Sequence, residues 1–173
     1  MEKEPGGNVV LIGFMGSGKS TMGIRLSYQL RYVLEDTDKL IEARAGKTIS
    51  EIFVQEGEEA FRQMETELLE KLAERKGQRV YSAGGGTPVR AVNRPLLKKL
   101  GTVVYLRTRP ETIYERLKDD TTRPLLQGED PLGTIRRLMA EREEAYIETA
   151  DMVLDVDDMT VDQVVARIVK CVR

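Results

Sequence analysis

GFMGSGKS, residues 13–20, is the stretch of the sequence that decides the fold. It matches G-x-x-x-x-G-K-[ST], a pattern in which glycines let successive backbone N–H groups turn towards phosphate oxygens. In that pattern Lys19 reaches the outer phosphates of a nucleotide, and the hydroxyl of Ser20 binds Mg²⁺. A chance match in a chain of this length has a probability of about 1% or less. The stretch therefore predicts a nucleotide-binding P-loop.

The P-loop lies in the expected context, because an apolar run precedes it and an amphipathic stretch follows it. Residues 8–13 (NVVLIG) predict a buried strand, and residues 19–31 predict a helix. Such a helix would point its positive N-terminal dipole at the phosphates. The alternative is an ordinary glycine turn between a strand and a helix, and we favour the phosphate site.

The rest of the chain alternates between apolar runs and amphipathic stretches. Further strands are predicted at residues 32–35, 79–83, 102–107 and 152–156. Further helices are predicted after the capping-box residue Thr48 and at residues 58–76, 110–118, 131–148 and 160–172. Strands rich in β-branched residues that alternate with helices predict an α/β fold, with a parallel sheet and helices on both faces. The length of 173 residues predicts one domain, over residues 1–173.

Composition excludes several kinds of site. The sequence contains no histidine, which excludes histidine-based acid–base catalysis, Ser-His-Asp triads and histidine-ligated metals. Cys171 is the one cysteine, so intrachain disulfides and cysteine-ligated zinc are excluded as well. The net charge of −2 favours neither nucleic acid nor an anionic membrane, and the apolar run VVLIGFMG is too short for a membrane segment. We expect a cytoplasmic monomer without nucleic-acid or membrane partners.

Two acids and three glycines are predicted to meet beyond the carboxyl ends of the strands, where ligands bind in doubly wound sheets. Asp36 and Asp38 follow the second strand, and in an extended chain residues two apart point to the same side. Three interpretations stay open: a metal pair, a catalytic acid with its neighbour, or a polar exit from the strand. Gly84, Gly85 and Gly86 follow the third strand and would let backbone amides approach a ligand, or else form a flexible turn.

Two arginines are candidates for a clamp on an anionic acceptor. Arg142 falls on the apolar stripe of its helix, between Met139 and Tyr146, where a charge is costly unless it is paired. Arg62 has Glu65 three residues further on. The alternatives are a snorkelling side chain for the first arginine and a solvated surface ion pair for the second. An arginine–carboxylate fork would both bind and orient the acceptor.

A loop predicted at about residues 120–130 holds Arg123-Pro124-Leu125-Leu126. Phosphoryl transfer needs positive charge near the migrating group, which a closing loop can supply while it excludes water. The alternative is a surface loop with a solvated arginine. The chain contains no N-K-x-D motif of the kind found in GTPases, so a small-molecule kinase suits it better.

Several stretches together resemble the shikimate kinase family over nearly the whole chain. They are GFMGSGKST, EDTDKLIEARAGKTISEIFVQEGEEAFRQMETELL, SAGGGT, VVYLRT, TRPLL and LMAEREEAY. The resemblance implies a nucleoside-monophosphate-kinase-like P-loop fold with a five-stranded parallel sheet in the order 2-3-1-4-5. It also implies transfer of the γ-phosphate of ATP to the 3-hydroxyl of shikimate in aromatic amino-acid biosynthesis, with ATP as co-substrate and Mg²⁺ as cofactor.

Site roles follow from the same resemblance, residue by residue. It places ATP at Gly16, Ser17, Gly18, Lys19, Ser20, Thr21, Arg116 and Arg123, and shikimate at Asp38, Arg62, Gly84, Gly85, Gly86 and Arg142. Ser20 and, through water, Asp36 would hold Mg²⁺. Lys19, Asp38 and Arg123 would be catalytic, with Asp38 on the acceptor hydroxyls and able to serve as the base.

The resemblance also assigns supporting roles and has one departure. Glu65 would orient Arg62, and the lid loop at about 120–130 and the substrate-binding segment at about 36–65 would close on ligands. Some members carry a basic residue near adenine after the last strand, whereas residues 155–160 (DVDDMT) are acidic here, so adenine contacts there stay unassigned. Two other functions are weighed: a gluconate-type sugar-acid kinase with the same fold, and a kinase-like module that binds ligands without catalysis.

Overall fold

The computed structural model describes residues 7–123 and 126–173. Pro124 and Leu125, which belong to the predicted lid loop, therefore lie outside the described residues. Over the described ranges the sheet has five strands: β1 (Val9–Ile12), β2 (Val33–Asp36), β3 (Arg79–Ser82), β4 (Thr102–Arg107) and β5 (Met152–Asp155). Neighbouring strands run parallel in the order β2-β3-β1-β4-β5. The predicted sheet and its strand order are confirmed.

The helices connect these strands on both faces of the sheet. They are α1 (Lys19–Leu30), α2 (Thr37–Ala45), α3 (Ile49–Glu56), α4 (Glu58–Ala73), α5 (Asn93–Leu100), α6 (Pro110–Leu117), α7 (Pro131–Thr149) and α8 (Val161–Val172). Sequence patterns predicted all of them except α2 and α5. Helix α2 buries only Thr37 and Ile41, so it shows almost no apolar stripe, and α5 is a short helix with Pro95 in its first turn.

The two faces of the sheet carry separate apolar layers. Strand β1 is fully buried, and its side chains alternate between Val10 and Ile12 on one face and Val9 and Leu11 on the other. Helices α4 and α5 cover the first face, and α1 and α8 cover the second. A sheet buried on both sides holds the carboxyl ends of its strands rigidly, and the candidate site is built on those ends.

The start of α2 corrects one sequence argument. Asp36 ends β2 and caps the helix: its Oδ1 accepts hydrogen bonds from the amides of Asp38, at 2.9 Å, and Lys39, at 3.2 Å. Asp38 therefore lies in the first turn of a helix, and the extended chain assumed for these two residues is wrong. An aspartate whose side chain accepts hydrogen bonds from two backbone amides favours the start of a helix over continuation of the strand.

No helix within residues 7–123 and 126–173 combines the length and the apolar character needed to cross a membrane.

Candidate active site

The P-loop follows β1 and wraps the N-terminus of α1. Gly16 and Gly18 have φ values of 78° and 98°, in the left-handed region that favours glycine. Gly18 is also the residue that caps α1. A methyl carbon built on Gly13 would lie 2.8 Å from Ser17 Oγ, so the loop is closed too tightly for a side chain there. The glycines of the motif thus turn the backbone amides inward at the start of the helix.

Lys19 folds over its own loop. Its Nζ donates hydrogen bonds to the carbonyl oxygens of Gly13, at 2.6 Å, and Phe14, at 3.0 Å. Burial lowers the pKa of Lys19 to about 8, and the nearby carboxylates of Asp38 and Asp36 oppose that effect. The ammonium group is therefore charged at neutral pH and lies between the P-loop and the two acids.

One cleft of about 670 Å³ collects most of the predicted site. Its predicted lining residues are Gly16, Ser17, Gly18, Lys19, Ser20, Thr21, Asp36, Asp38, Gly84, Gly85, Arg116 and Arg123. Asp36 and Asp38 thus share one space, although for a different reason than the one inferred from the sequence. The remaining predicted residues, Arg62, Gly86 and Arg142, adjoin this cleft at the glycine segment after β3.

Gly84, Gly85 and Gly86, here called the glycine triplet, each lie against one predicted acceptor-site side chain. A methyl carbon built on Gly84 would be 2.8 Å from Asp38 Oδ1, and one on Gly86 would be 2.6 Å from the guanidinium of Arg62. One on Gly85 would be 3.6 Å from Arg142 Nη1. None of the three has a left-handed φ. Gly84 and Gly86 are therefore required by the close approach of Asp38 and Arg62 rather than by an unusual turn, whereas the contacts at Gly85 are of ordinary van der Waals length.

The carboxylate of Asp38 is held in an unfavourable environment. Burial, and then the negative charges of Asp36 and Glu65, raise its pKa to about 6, while Lys19 and Arg62 oppose the shift. Its Oδ1 is buried and has no hydrogen-bond partner among the described residues. A buried carboxylate oxygen without a donor is costly, so this atom is suited to accept a hydroxyl from a ligand.

The buried carboxylate of Glu65 orients the guanidinium of Arg62. Its Nη1 donates to Glu65 Oε1 at 2.6 Å, and Glu65 is only 2% exposed. Thr87 Oγ1 donates to the other oxygen of Glu65 at 2.5 Å. On its outer side Arg62 approaches the exposed Glu58 at 3.6 Å. The Arg62–Glu65 contact is thus a partly buried pair anchored by the buried Glu65, unlike the solvated surface pair considered as its alternative.

Arg142 projects from α7 towards the same segment. The carbon of its guanidinium lies 5.4 Å from the centre of the Phe14 ring, and it forms no ion pair with a carboxylate of the described residues. One turn further along α7, the hydroxyl of Tyr146 donates to the carbonyl oxygen of Gly85 at 2.6 Å. A half-buried guanidinium without a carboxylate partner is suited to bind an anionic ligand.

Two further arginines border the nucleotide side of the cleft. Arg116 Nη1 donates to the carbonyl oxygen of Gly16 at 2.7 Å. Arg123 Nε donates to Asp120 Oδ2 at 3.1 Å, and its Nη1 lies 3.5 Å from Met15 Sδ. Both therefore add positive charge beside the P-loop.

Several site residues went unnoticed in the sequence. The cleft extends to Val156 and Met159, which are apolar residues within the unassigned stretch at 155–160, and to Val161 directly after it. Thr37 Oγ1 accepts a hydrogen bond from the amide of Gly84 at 3.2 Å and is buried. Thr87 comes directly after the glycine triplet, and that position was the one available signal for it.

The family model described as "Shikimate kinase" matches residues 15–173. The chain belongs to the shikimate kinase family. The resemblance inferred from the motifs is therefore confirmed, and so is the class of enzyme, an ATP-dependent small-molecule kinase.

Individual relatives agree with this assignment to the shikimate kinases. A shikimate kinase of Symbiobacterium thermophilum is 42% identical over 165 residues, which cover 94% of each chain. A solved structure of the Acinetobacter baumannii shikimate kinase in complex with shikimate superposes with a TM-score of 0.86 and is 38% identical. That match covers 98% of this chain and 93% of the other.

A gluconokinase from Sinorhizobium meliloti shares the fold of the shikimate kinase family. It superposes with a TM-score of 0.57 over 98% of this chain and 93% of the other, at 16% identity. Similarity at that level shows a common architecture and carries nothing about the acceptor. The alternative of a gluconate-type kinase thus has no support beyond the fold.

Proposed function

We propose that this chain transfers the γ-phosphate of ATP to the 3-hydroxyl of shikimate and releases shikimate 3-phosphate and ADP. The observation that carries the proposal is the arrangement of the glycine triplet. Asp38, Arg62 and Arg142 each lie against one of its glycines, at the sheet edge where the P-loop also lies. Shikimate has one carboxylate and several hydroxyls, which such a set can bind together.

ATP binds in the part of the cleft that the P-loop lines. The backbone amides at Gly16, Ser17 and Gly18 and the N-terminus of α1 hold the phosphates. Lys19 leaves its carbonyl partners for the phosphates, which are stronger acceptors because they are charged. Ser20 and Thr21 lie at the end of the loop and complete the phosphate contacts.

Arg116 and Arg123 complete the nucleotide site beside the P-loop. Arg116 contacts the loop at Gly16 and flanks the base. Arg123 belongs to the lid loop at about residues 120–130 and is restrained by Asp120. Closure of that loop would bring its guanidinium onto the migrating phosphate, where charge develops in the transition state.

Shikimate binds beside the glycine triplet. Arg62 and Arg142 grip its carboxylate from two helices, α4 and α7, and so fix the direction in which the ring points. Asp38 accepts hydrogen bonds from the ring hydroxyls. Because its pKa is about 6, it is mostly ionised at neutral pH and can take the proton of the attacking hydroxyl. A strong base is unnecessary, since phosphoryl transfer has a loose transition state.

The residues beside the P-loop fit a magnesium ion. Ser20 supplies a hydroxyl, and Asp36 uses only Oδ1 to cap α2, which leaves Oδ2 for a water on the metal. Within the described ranges no three acidic side chains cluster as a complete metal cage. Mg²⁺ suits this set because it commonly keeps several waters and binds one or two protein oxygens together with phosphates. The ion would neutralise phosphate charge.

Residues 1–173 act in this proposal as one catalytic domain, and the segment at about 36–65 closes with the lid. The test is ADP release measured with a coupled assay in the presence of ATP, Mg²⁺ and shikimate. Turnover that requires shikimate and does not occur with gluconate supports the proposal. Shikimate binding by calorimetry without any ADP release would favour a non-catalytic module, and absence of both would refute the proposed reaction.

A further inference from the structure

Four buried polar side chains lie behind the acceptor site. Glu65, Thr66, Thr87 and Asn93 are between 0% and 6% exposed, and Asn93 is the most buried of them, at 0%. Buried polar groups are costly unless their hydrogen bonds are satisfied, and a satisfied network is rigid. These four therefore form a fixed element of the structure rather than a chance surface contact.

Asn93 joins two parts of the chain that carry different halves of the acceptor site. Its Nδ2 donates to the carbonyl oxygen of Thr87 at 2.9 Å, directly after the glycine triplet. Its Oδ1 accepts from Thr66 Oγ1 at 2.7 Å, on the helix that carries Arg62. One side chain thus links α4 to the segment of the triplet.

The same network reaches Arg62 by a second route. Thr87 Oγ1 donates to Glu65 Oε2, and Glu65 Oε1 accepts from Arg62 Nη1. Arg62 in turn lies so close to Gly86 that a methyl carbon there would be 2.6 Å from its Nη2. The separation between α4 and the triplet therefore has little tolerance, and a small shift would move the guanidinium relative to the amides.

The hydrogen bonds of the Asn93 side chain do not cap a helix. Asn93 is the first residue of α5, but the cap of that helix is Val92, and no side chain bonds the free amides there. Both bonds of the Asn93 amide point away from α5, towards Thr66 and Thr87. Its contacts serve the junction between the two halves of the acceptor site.

We propose that Asn93 is a positioning residue for the acceptor, which sets the place of Arg62 relative to the glycine triplet without touching either substrate. The inference rests on the proposed function, because it concerns binding of the acceptor carboxylate. It predicts that loss of the Asn93 amide weakens shikimate binding while ATP binding, at the other end of the cleft, is retained.

Two substitutions remove the junction from opposite sides. Asn93→Ala removes both hydrogen bonds. Thr66→Val keeps the shape of the side chain but removes the bond that Asn93 accepts, together with the contact of 3.2 Å from Thr66 Oγ1 to the carbonyl oxygen of Arg62. The matched control is Asn8→Ala, because Asn8 makes the same pair of bonds far from the site: Nδ2 to Leu100 O at 3.0 Å and Oδ1 from Arg79 N at 2.8 Å. Steady-state kinetics and thermal unfolding are measured for all three variants and the unchanged protein.

The expected result is a KM for shikimate raised about tenfold in Asn93→Ala and about threefold in Thr66→Val, with the KM for ATP and kcat nearly unchanged. Asn8→Ala should lower the melting temperature by a similar amount but leave the KM for shikimate unchanged. An unchanged KM in Thr66→Val and in any folded Asn93→Ala would overturn the inference alone. So would an equal rise in Asn8→Ala, which would mark a general loss of stability. If the protein without substitutions neither phosphorylates nor binds shikimate, the proposed function and this inference are both overturned.

Discussion

Tyr146 donates a hydrogen bond of 2.6 Å to the carbonyl oxygen of Gly85, the middle residue of the glycine triplet. Tyr146 is buried, so the position of its phenol is fixed by the packing around it. Arg142 lies one turn earlier on the same helix, α7. The bond therefore fixes α7 and the triplet to each other at the point where we propose that Arg142 binds the acceptor.

We expect Tyr146→Phe to lower the free energy of unfolding by about 0.5–1.5 kcal/mol, because it removes a hydrogen bond donated by a buried phenol. The KM for shikimate should rise with it, since Gly85 is free to shift. Urea unfolding and steady-state kinetics measure the two effects. Tyr28→Phe is the control, since Tyr28 is 80% exposed, and both quantities should stay the same there.

Alanine substitutions in the glycine triplet should rank by the space that each glycine leaves. Gly84→Ala and Gly86→Ala place a methyl group within 3 Å of Asp38 and Arg62, so we expect the KM for shikimate to rise at least about tenfold. Gly85→Ala meets its nearest neighbour only at 3.4 Å and should change KM by about threefold or less. An equal effect at all three positions would contradict the close-contact explanation.

Arg142→Ala should weaken the acceptor site selectively. Loss of charged hydrogen bonds worth about 1.5–3 kcal/mol corresponds to a KM for shikimate about ten to a hundred times higher. The KM for ATP should hardly move. Arg137→Ala, an exposed position on the same helix, serves as the control for the loss of a positive charge. If both variants lose the same activity, the effect is due to the overall charge of α7 and not to a clamp.

Activity should fall at low pH because Asp38 becomes protonated. Its pKa of about 6 in the free protein means that the rate with both substrates well below saturation falls as the pH drops through about 6. Protonation removes the acceptor for the hydroxyl proton. This fall should be absent from the residual activity of Asp38→Asn, and its persistence there would assign it to another group.

Asp38→Asn should also make the protein without ligands more stable. The pKa of Asp38 is raised from 3.8 to about 6 on folding, so the folded state binds the proton more tightly, and stability falls as the pH rises from about 4 to 6. Asparagine removes this cost, and since one pKa unit equals about 1.4 kcal/mol, the gain at pH 7 should be about 2–3 kcal/mol. Thermal unfolding measures it, with the exposed Asp119→Asn as a control. A less stable Asp38→Asn would contradict the assignment.

The positions of the strands and the nucleotide side of the site were open to prediction because their signals are local, whereas the order of the strands came only from the family resemblance. The P-loop glycines and Lys19 lie close together in the sequence, so one short pattern identifies the whole phosphate-binding site. The helix at Asp36 was missed because capping depends on two hydrogen bonds that period-two alternation does not reveal. Asn93 could not be found at all, since its partner Thr66 lies 27 positions away and only packing brings them together.

The close fit at the glycine triplet means that acceptor specificity cannot be redesigned one position at a time. At Gly84 and Gly86, a charged side chain, of Asp38 and Arg62 respectively, occupies the room that a larger residue would need. Replacing Arg62 to admit an uncharged acceptor would leave a void next to Gly86. A serine or an alanine at position 86 could then fill that void. Libraries that vary positions 62 and 86 jointly, and 38 and 84 jointly, should therefore yield active variants that single-site scans miss.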